Sequence, residues 1–201
     1  PNILVLGDLM IDHYLWGKCE RISPEAPVQI VEIEKESSVL GGAGNVINNL
    51  KSLGANVDVI SVIGDDLIAD ELKLLLSSIG VSSKMLINEQ NRTTSKKSRI
   101  MASQQQVLRY DKESVIDINL NSQSQIIDCF QSVIKNYSVV LFSDYGKGVF
   151  TYSLTKELIK IANKNHVKVL IDPKGTDYSK YEGAYLLTPN KKEAFDATKI
   201  K

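Results

Sequence analysis

The apolar positions of the chain fall into two alternating rhythms. Short unbroken runs at Ile3 to Leu6, Val57 to Ile63, Val139 to Phe142, Val167 to Ile171 and Ala184 to Leu187 read as strands buried on both faces. Another strand is expected near Val81 to Ile87. Between them, apolar residues recur at helical spacing: Val46, Ile47, Leu50 and Leu53; Ile68, Leu72, Leu75, Leu76 and Ile79; Ile126, Ile127, Phe130, Val133 and Ile134; Leu154, Leu158, Ile161 and Ala162. Strands alternating with helices in this way predict an α/β domain on a doubly wound, mainly parallel sheet.

Two stretches break the rhythm. From His13 to Leu40, a polar piece with two prolines (Ser23-Pro24-Glu25-Ala26-Pro27) leads into the β-rich Val28 to Ile33. From Thr93 to Asp111 the chain is again β-rich and is dense in Lys96, Lys97, Arg99, Gln104, Gln105, Gln106 and Arg109. Neither stretch has helices to cover a parallel sheet, so both are expected to leave it and pair as a small β-lid, at about residues 13–40 and 93–111. Val28, Ile30, Val31 and Ile33 place apolar side chains on both faces of one lid strand. That pattern predicts a lid covered on both sides, as in a homodimer formed through it.

Four of the strands finish in a polar group, at Asp8, Asp144, Asp172 and Asn190. Ligands of open α/β sheets bind beyond the carboxyl ends of the strands, so these groups are expected to converge on one crevice. The carboxylates have bland readings as well: Asp8 can cap a turn, and Asp172 before Pro173 can form an Asx turn. The segment Gly41-Gly42-Ala43-Gly44-Asn45 precedes a helical ladder and therefore sits at a helix N-terminus. It is either a plain loop-to-helix turn or a place where backbone approaches a polar ligand, with Asn45 offering both a donor and an acceptor to a sugar hydroxyl.

Composition narrows the class. The 201 residues carry 24 basic and 24 acidic side chains, so net charge implies no attraction to nucleic acid or to a membrane surface. Cys19 and Cys129 have neither metal-ligand nor redox spacing, which suits free thiols in a reducing cytoplasm. No apolar run reaches the length of a membrane span. The chain lacks a P-loop and a complete dinucleotide fingerprint, and its two histidines, His13 and His166, accompany no serine elbow. What remains is a crevice of carboxylates, amides and cations: carboxylates to accept from sugar hydroxyls, Lys and Arg to neutralise phosphate.

Several motifs, in order and spacing, resemble the ribokinase or PfkB-type sugar kinases: Gly7-Asp8 with Asp12, the glycine segment through Asn45, and Thr188-Pro189-Asn190-Lys191-Lys192-Glu193. Three longer ones, Arg21 to Val28, Leu141 to Gly148 and Leu170 to Asp177, are similar to one branch, the bacterial D-glycero-β-D-manno-heptose-7-phosphate kinases. The resemblance spans essentially the whole chain. It implies a ribokinase-like fold with a β-lid, and transfer of the ATP γ-phosphoryl group, with Mg²⁺, to the anomeric hydroxyl of the heptose phosphate in ADP-heptose and lipopolysaccharide core synthesis. By matched position, Asp12, Gly42 and Asn45 would hold sugar hydroxyls. Lys97, Arg99, Gln106, Arg109, Asp144 and Lys147 would complete the substrate site, and Lys174, Asn190, Lys191, Lys192 and Glu193 would serve ATP, with Glu193 reaching the metal through water. These kinases also carry a G-A-G-D segment with an anion hole and a general base. The chain has none up to Lys201, so the general base is expected beyond Lys201. The resemblance then implies the N-terminal part of a kinase domain, with no catalytic residue of its own and inactive by itself. The alternatives are a kinase for another sugar or nucleoside, and a non-catalytic ligand-binding module.

Overall fold

The computed structural model describes residues 1–102 and 105–200; Ser103, Gln104 and Lys201 lie outside them. Ser103 and Gln104 belong to the second expected lid segment, and Lys201 is the position beyond which the general base is expected. The main sheet is wholly parallel and six-stranded, built from β1 (Asn2–Gly7), β4 (Asn56–Gly64), β5 (Leu86–Glu89), β8 (Val139–Ser143), β9 (Lys168–Asp172) and β10 (Leu186–Leu187) in the order β10-β9-β8-β1-β4-β5. The chain winds outward from β1 through β4 to β5, then returns to its other side at β8. That reversal makes the carboxyl ends of β1 and β8 the topological switch point.

Alternation along β1 shows why the sheet needs cover on both faces. Leu4 and Leu6 pack with α3 (Leu120–Val133) and α4 (Tyr152–Lys164), through Ile126, Phe130, Leu154 and Leu158. Ile3 and Val5 point the other way, to Ile47 of α1 (Ala43–Ser52) and Leu72 and Leu76 of α2 (Leu67–Ser78). Each such side chain, removed from water, contributes ~2 kcal/mol before the entropy of ordering is counted. Side-chain caps start three of these helices where sequence places Asp66, Asn119 and Thr151.

Between β1 and β4, and again after β5, the chain leaves the body. β2 (Leu9–Ile22) and β3 (Gln29–Gly42) form a long antiparallel pair, and β6 (Ser95–Ala102) with β7 (Gln105–Lys112) joins it in a four-stranded mixed sheet of order β3-β2-β6-β7. The two expected segments do pair with each other, through a parallel β2–β6 contact. The lid begins earlier than the polarity change suggests, at Leu9, because Leu9, Met10 and Ile11 are buried where the lid roots in the body. Two details differ from the sequence reading. The strand expected near Val81 is confined to Leu86–Glu89, since Val81 is instead buried as a plug below α2. Of the apolar quartet in the first lid segment, Val28 and Ile33 are exposed and Ile30 and Val31 half-buried.

Candidate functional site

Cross-strand register assembles the lid's inner chemistry. Asp12 pairs with Lys97, and Lys97 with Asp111; Tyr14 pairs with Arg99, and Arg99 with Arg109. Partners across a ladder share a face, so these six side chains occupy one side of the lid. A bulge between Ile100 and Met101 shifts the register so that Gln106 faces Met101 and joins the same side. Arg99 donates to Asp12 Oδ1 at 2.6 Å and stacks over Tyr14. Arg109 binds Asp111 with two hydrogen bonds of 2.8 Å. Lys97 donates to Asp111 at 3.0 Å and to Glu113 at 2.7 Å.

Lys147 reaches the same group from the body, donating to Glu113 Oε1 at 2.6 Å. The side chains of Lys97, Lys147 and Glu113 are only 12%, 16% and 18% exposed, so solvent screens their attraction little. Burial would raise the Glu113 carboxyl, but Lys147 and Lys97 outweigh it and hold it below the usual carboxylate range. Asp111 is held lower still, chiefly by Arg109. Neither acid was singled out from the sequence. The signal that could have found them is the period-two spacing of Arg109, Asp111 and Glu113 along one strand face.

The switch point positions Lys147. Asp8 is buried, and its carboxylate accepts from the backbone N–H groups of Tyr145 (2.8 Å), Lys147 (3.2 Å) and Val149 (3.4 Å). Burial pushes its pKa up to about 6 even though those donors favour the charged form. Asp144 is equally enclosed: it accepts from Gly146 N–H at 2.7 Å, Lys180 at 2.7 Å and the Tyr181 hydroxyl at 2.6 Å. These contacts tie the Asp144 carboxylate to the loop it begins, through Gly146, and to the turn at Ser179–Tyr181, through Lys180 and Tyr181. Tyr145 lies between the two halves of the crevice. Its phenol pKa is raised first by burial, then by Asp172 on one side, with Asp12 on the other adding to it.

Beyond Asp172, Asn190 and Glu193 form a reciprocal capping box at α5 (Lys191–Thr198): Asn190 Oδ1 accepts from the Glu193 N–H, and Glu193 Oε2 from the Asn190 N–H, each at 3.0 Å. Lys174 donates to the other Glu193 oxygen at 3.1 Å. The Asn190 N–H first, and Lys174 after it, hold Glu193 ionised below its ordinary pKa. Asn190, Lys191 and Lys192 are exposed at this helix start.

The glycine segment is explained mainly by its own packing. Gly42 has φ +55°, in the left-handed region, as N-cap of α1. A Cβ on Gly41 would overlap the Asp12 carboxylate. The first helical N–H, on Ala43, is spent on Asp8 O at 3.1 Å, so it does not point outward to a ligand. Asn45 is exposed and lines a cavity of about 390 Å³ with Ser38, Val39, Leu40, Asn48 and Leu75. Val39 is the ladder partner of Asp12, although neither Asp12 nor Asn190 lines that cavity.

A parallel α/β body with a polar lid over its switch point, a carboxylate and cations beneath the lid, and a helix start at the far strand end is the architecture of a sugar kinase. The chain belongs to the pfkB family of carbohydrate kinases, whose profile matches residues 1–201. It is 69% identical over 200 residues to the bifunctional protein HldE of Aliarcobacter butzleri and 59% identical to that of Sulfurimonas denitrificans; each match covers the whole of this chain and 42% of the relative. The chain thus spans less than half the length of these relatives. Among solved structures, the tetrameric inhibited form of phosphofructokinase-2 from Escherichia coli superposes with TM-score 0.75 at 18% identity, over the whole of this chain and 64% of that one. Arabidopsis thaliana ribokinase complexed with ribose and ATP gives 0.67 at 16%, over 99% and 63%. At such identities the likeness establishes the fold.

Proposed function

We propose that this chain is the kinase portion of an enzyme that phosphorylates D-glycero-β-D-manno-heptose 7-phosphate at its anomeric hydroxyl, giving the 1,7-bisphosphate for ADP-heptose synthesis. The observation that carries the reading is the lid face, where the four cations Lys97, Arg99, Arg109 and Lys147 outnumber the three carboxylates paired with them, Asp12, Asp111 and Glu113. A plain sugar needs acceptors and donors for its hydroxyls. A sugar that already bears a phosphate also needs concentrated positive charge. In this reading Asp12, Gly42 and Asn45 take hydroxyls, and Lys97, Arg99, Gln106, Arg109 and Lys147 take the phosphate end, while the enclosed Asp144 shapes the Lys147 loop.

ATP would lie along the crevice toward Asn190, with Lys174, Lys191 and Lys192 near its phosphates. Among the described residues no cluster of three or more acidic, His or Cys side chains forms a metal cage. That suits Mg²⁺ carried on the nucleotide and touching Glu193 through water, since magnesium keeps much of its hydration. When bound it neutralises phosphate charge; the protein's own part is alignment and charge compensation. The Asn190 N–H and Lys174 keep Glu193 anionic at the start of α5.

The test is ATP-dependent formation of the 1,7-bisphosphate by the full-length protein carrying this chain. Product phosphorylated at the anomeric position supports the reading, and turnover of unphosphorylated sugars or nucleosides in preference would replace it. A second copy of the chain is the partner we propose for the lid's exposed apolar residues, Trp16, Ile33, Val107 and Leu108. Sedimentation at micromolar concentration should give a dimer, and a strict monomer would contradict it. No helix among the described residues is long and apolar enough to cross a membrane.

A further inference from the structure

We propose that Arg92 is a positioning residue, which sets Lys147 against the lid by gripping the Lys147 backbone and so tunes affinity for the anionic end of the substrate. The inference rests on the reading of Lys147 as a phosphate ligand.

Arg92 is buried between the body and the lid. Its guanidinium donates through one nitrogen to the carbonyl of Ile116 at 3.1 Å and through another to the carbonyl of Lys147. Glu89 stands 3.6 Å away as its counter-charge, and the second Glu89 oxygen accepts from the Asn119 N–H at 3.0 Å. A buried guanidinium must have its donors and charge met, and here the partners come from three separate segments. Arg92 lies just before β6, Ile116 just after β7, and Lys147 in the switch-point loop. One planar fork therefore joins both stems of the lid to the loop that presents Lys147.

Lys147 is consequently held at both of its backbone polar groups. Asp8 takes its N–H and Arg92 its C=O, leaving the ammonium aimed at Glu113, which Lys97 shares from the lid. Two glycines keep the junction this tight. A Cβ on Gly64 would strike the Arg92 carbonyl, and one on Gly148, at φ +88°, the Ile116 carbonyl. The cavity beside Arg92, lined also by Asp8, Thr94 and Lys147, is only about 10 Å³. No sugar phosphate fits there, so Arg92 acts through Lys147 and does not touch the ligand.

The experiment is a double-mutant cycle in the full-length protein, with affinity for heptose 7-phosphate and for the unphosphorylated heptose measured by calorimetry. Arg92→Lys keeps the buried charge but not the fork, so it remains informative if Arg92→Gln fails to fold. Arg92→Lys is expected to weaken heptose 7-phosphate about tenfold and the unphosphorylated sugar by under about threefold. In a Lys147→Ala background the same change should add nothing to the loss. Equal losses for both sugars, or additive losses with Lys147→Ala, would overturn the proposal while the substrate reading stands. If the unaltered protein does not bind heptose 7-phosphate, the substrate reading is overturned and this one with it.

Discussion

Arg99 donates to Asp12 Oδ1 at 2.6 Å, and the other Asp12 oxygen rests where a side chain on Gly41 would have to go. One carboxylate is thus fixed from both sides, by a cation on β6 and by a missing methyl group on β3. Gly41→Ala should force the Asp12 carboxylate out of the position in which it meets Arg99, with little effect on melting, because Gly41 has no left-handed φ and the overlap is with a side chain. Sugar affinity should fall about tenfold, the cost of one hydrogen bond to a charged group. Calorimetry with heptose 7-phosphate checks this, and unchanged affinity would remove Asp12 from the site.

Glu113 neutralises Lys97 and Lys147 together. Glu113→Gln should release Lys147 and leave Lys97 paired with Asp111 alone, so affinity for heptose 7-phosphate should rise while stability at neutral pH falls. Since the Glu113 pKa is lowered in the fold, its stabilisation is present above the unfolded value and is lost as pH falls through the folded one. Urea unfolding of the variant should accordingly show its deficit at pH 7 and a smaller one in acid. A deficit that grows toward acid would contradict the pairing.

Asp8 runs the other way. Its folded pKa of about 6 exceeds the ordinary value of 3.8, so between the two the native state holds a proton that the unfolded chain has released. The stability Asp8 contributes is full at the acid end and lost as pH rises through about 6, on the order of 3 kcal/mol over the window. Against Asp8→Asn, which does not titrate, the unaltered protein should gain relative stability as pH is lowered from 7.5 toward 4. Denaturant unfolding at several pH values measures the difference, and a flat difference would show that the three backbone donors outweigh burial.

At the other end of the crevice, Asn190→Ala removes the cap of α5 and the Glu193 N–H partner. Loss of such a cap costs about 1 kcal/mol. Because the capping box also orients Glu193, the KM for ATP should rise while sugar affinity stays within about twofold. Steady-state kinetics with each substrate varied separates the two, and a rise in the sugar KM alone would be inconsistent with a nucleotide role.

The body of the fold was legible because its strands are apolar on both faces and its helices carry clean periodicity. Leu4 and Ile3 need opposite helical layers, and the sequence supplies four helices to build them. The lid was legible as two polar β segments, but its start was not: the sequence turns polar only at His13, whereas the apolar, buried Leu9 to Ile11 already belong to the other sheet. The motif residues of the site were visible one by one. Which of them touch was not, because Asp12, Lys97 and Asp111 become neighbours only through register across three strands. Arg92 stayed invisible for the same reason: its partners lie 24 and 55 residues away along the chain.

The central claim is that the lid face reads a phosphate already present on the sugar. It is tested most directly by comparing kcat/KM of the full-length protein for heptose 7-phosphate and for the unphosphorylated heptose, before and after Lys97→Ala with Arg109→Ala. The expected result is a preference of at least about 100-fold for the phosphorylated sugar that collapses in the double variant through loss on that substrate alone. Equal use of both sugars by the unaltered protein, or a preference that survives the double substitution, would contradict it.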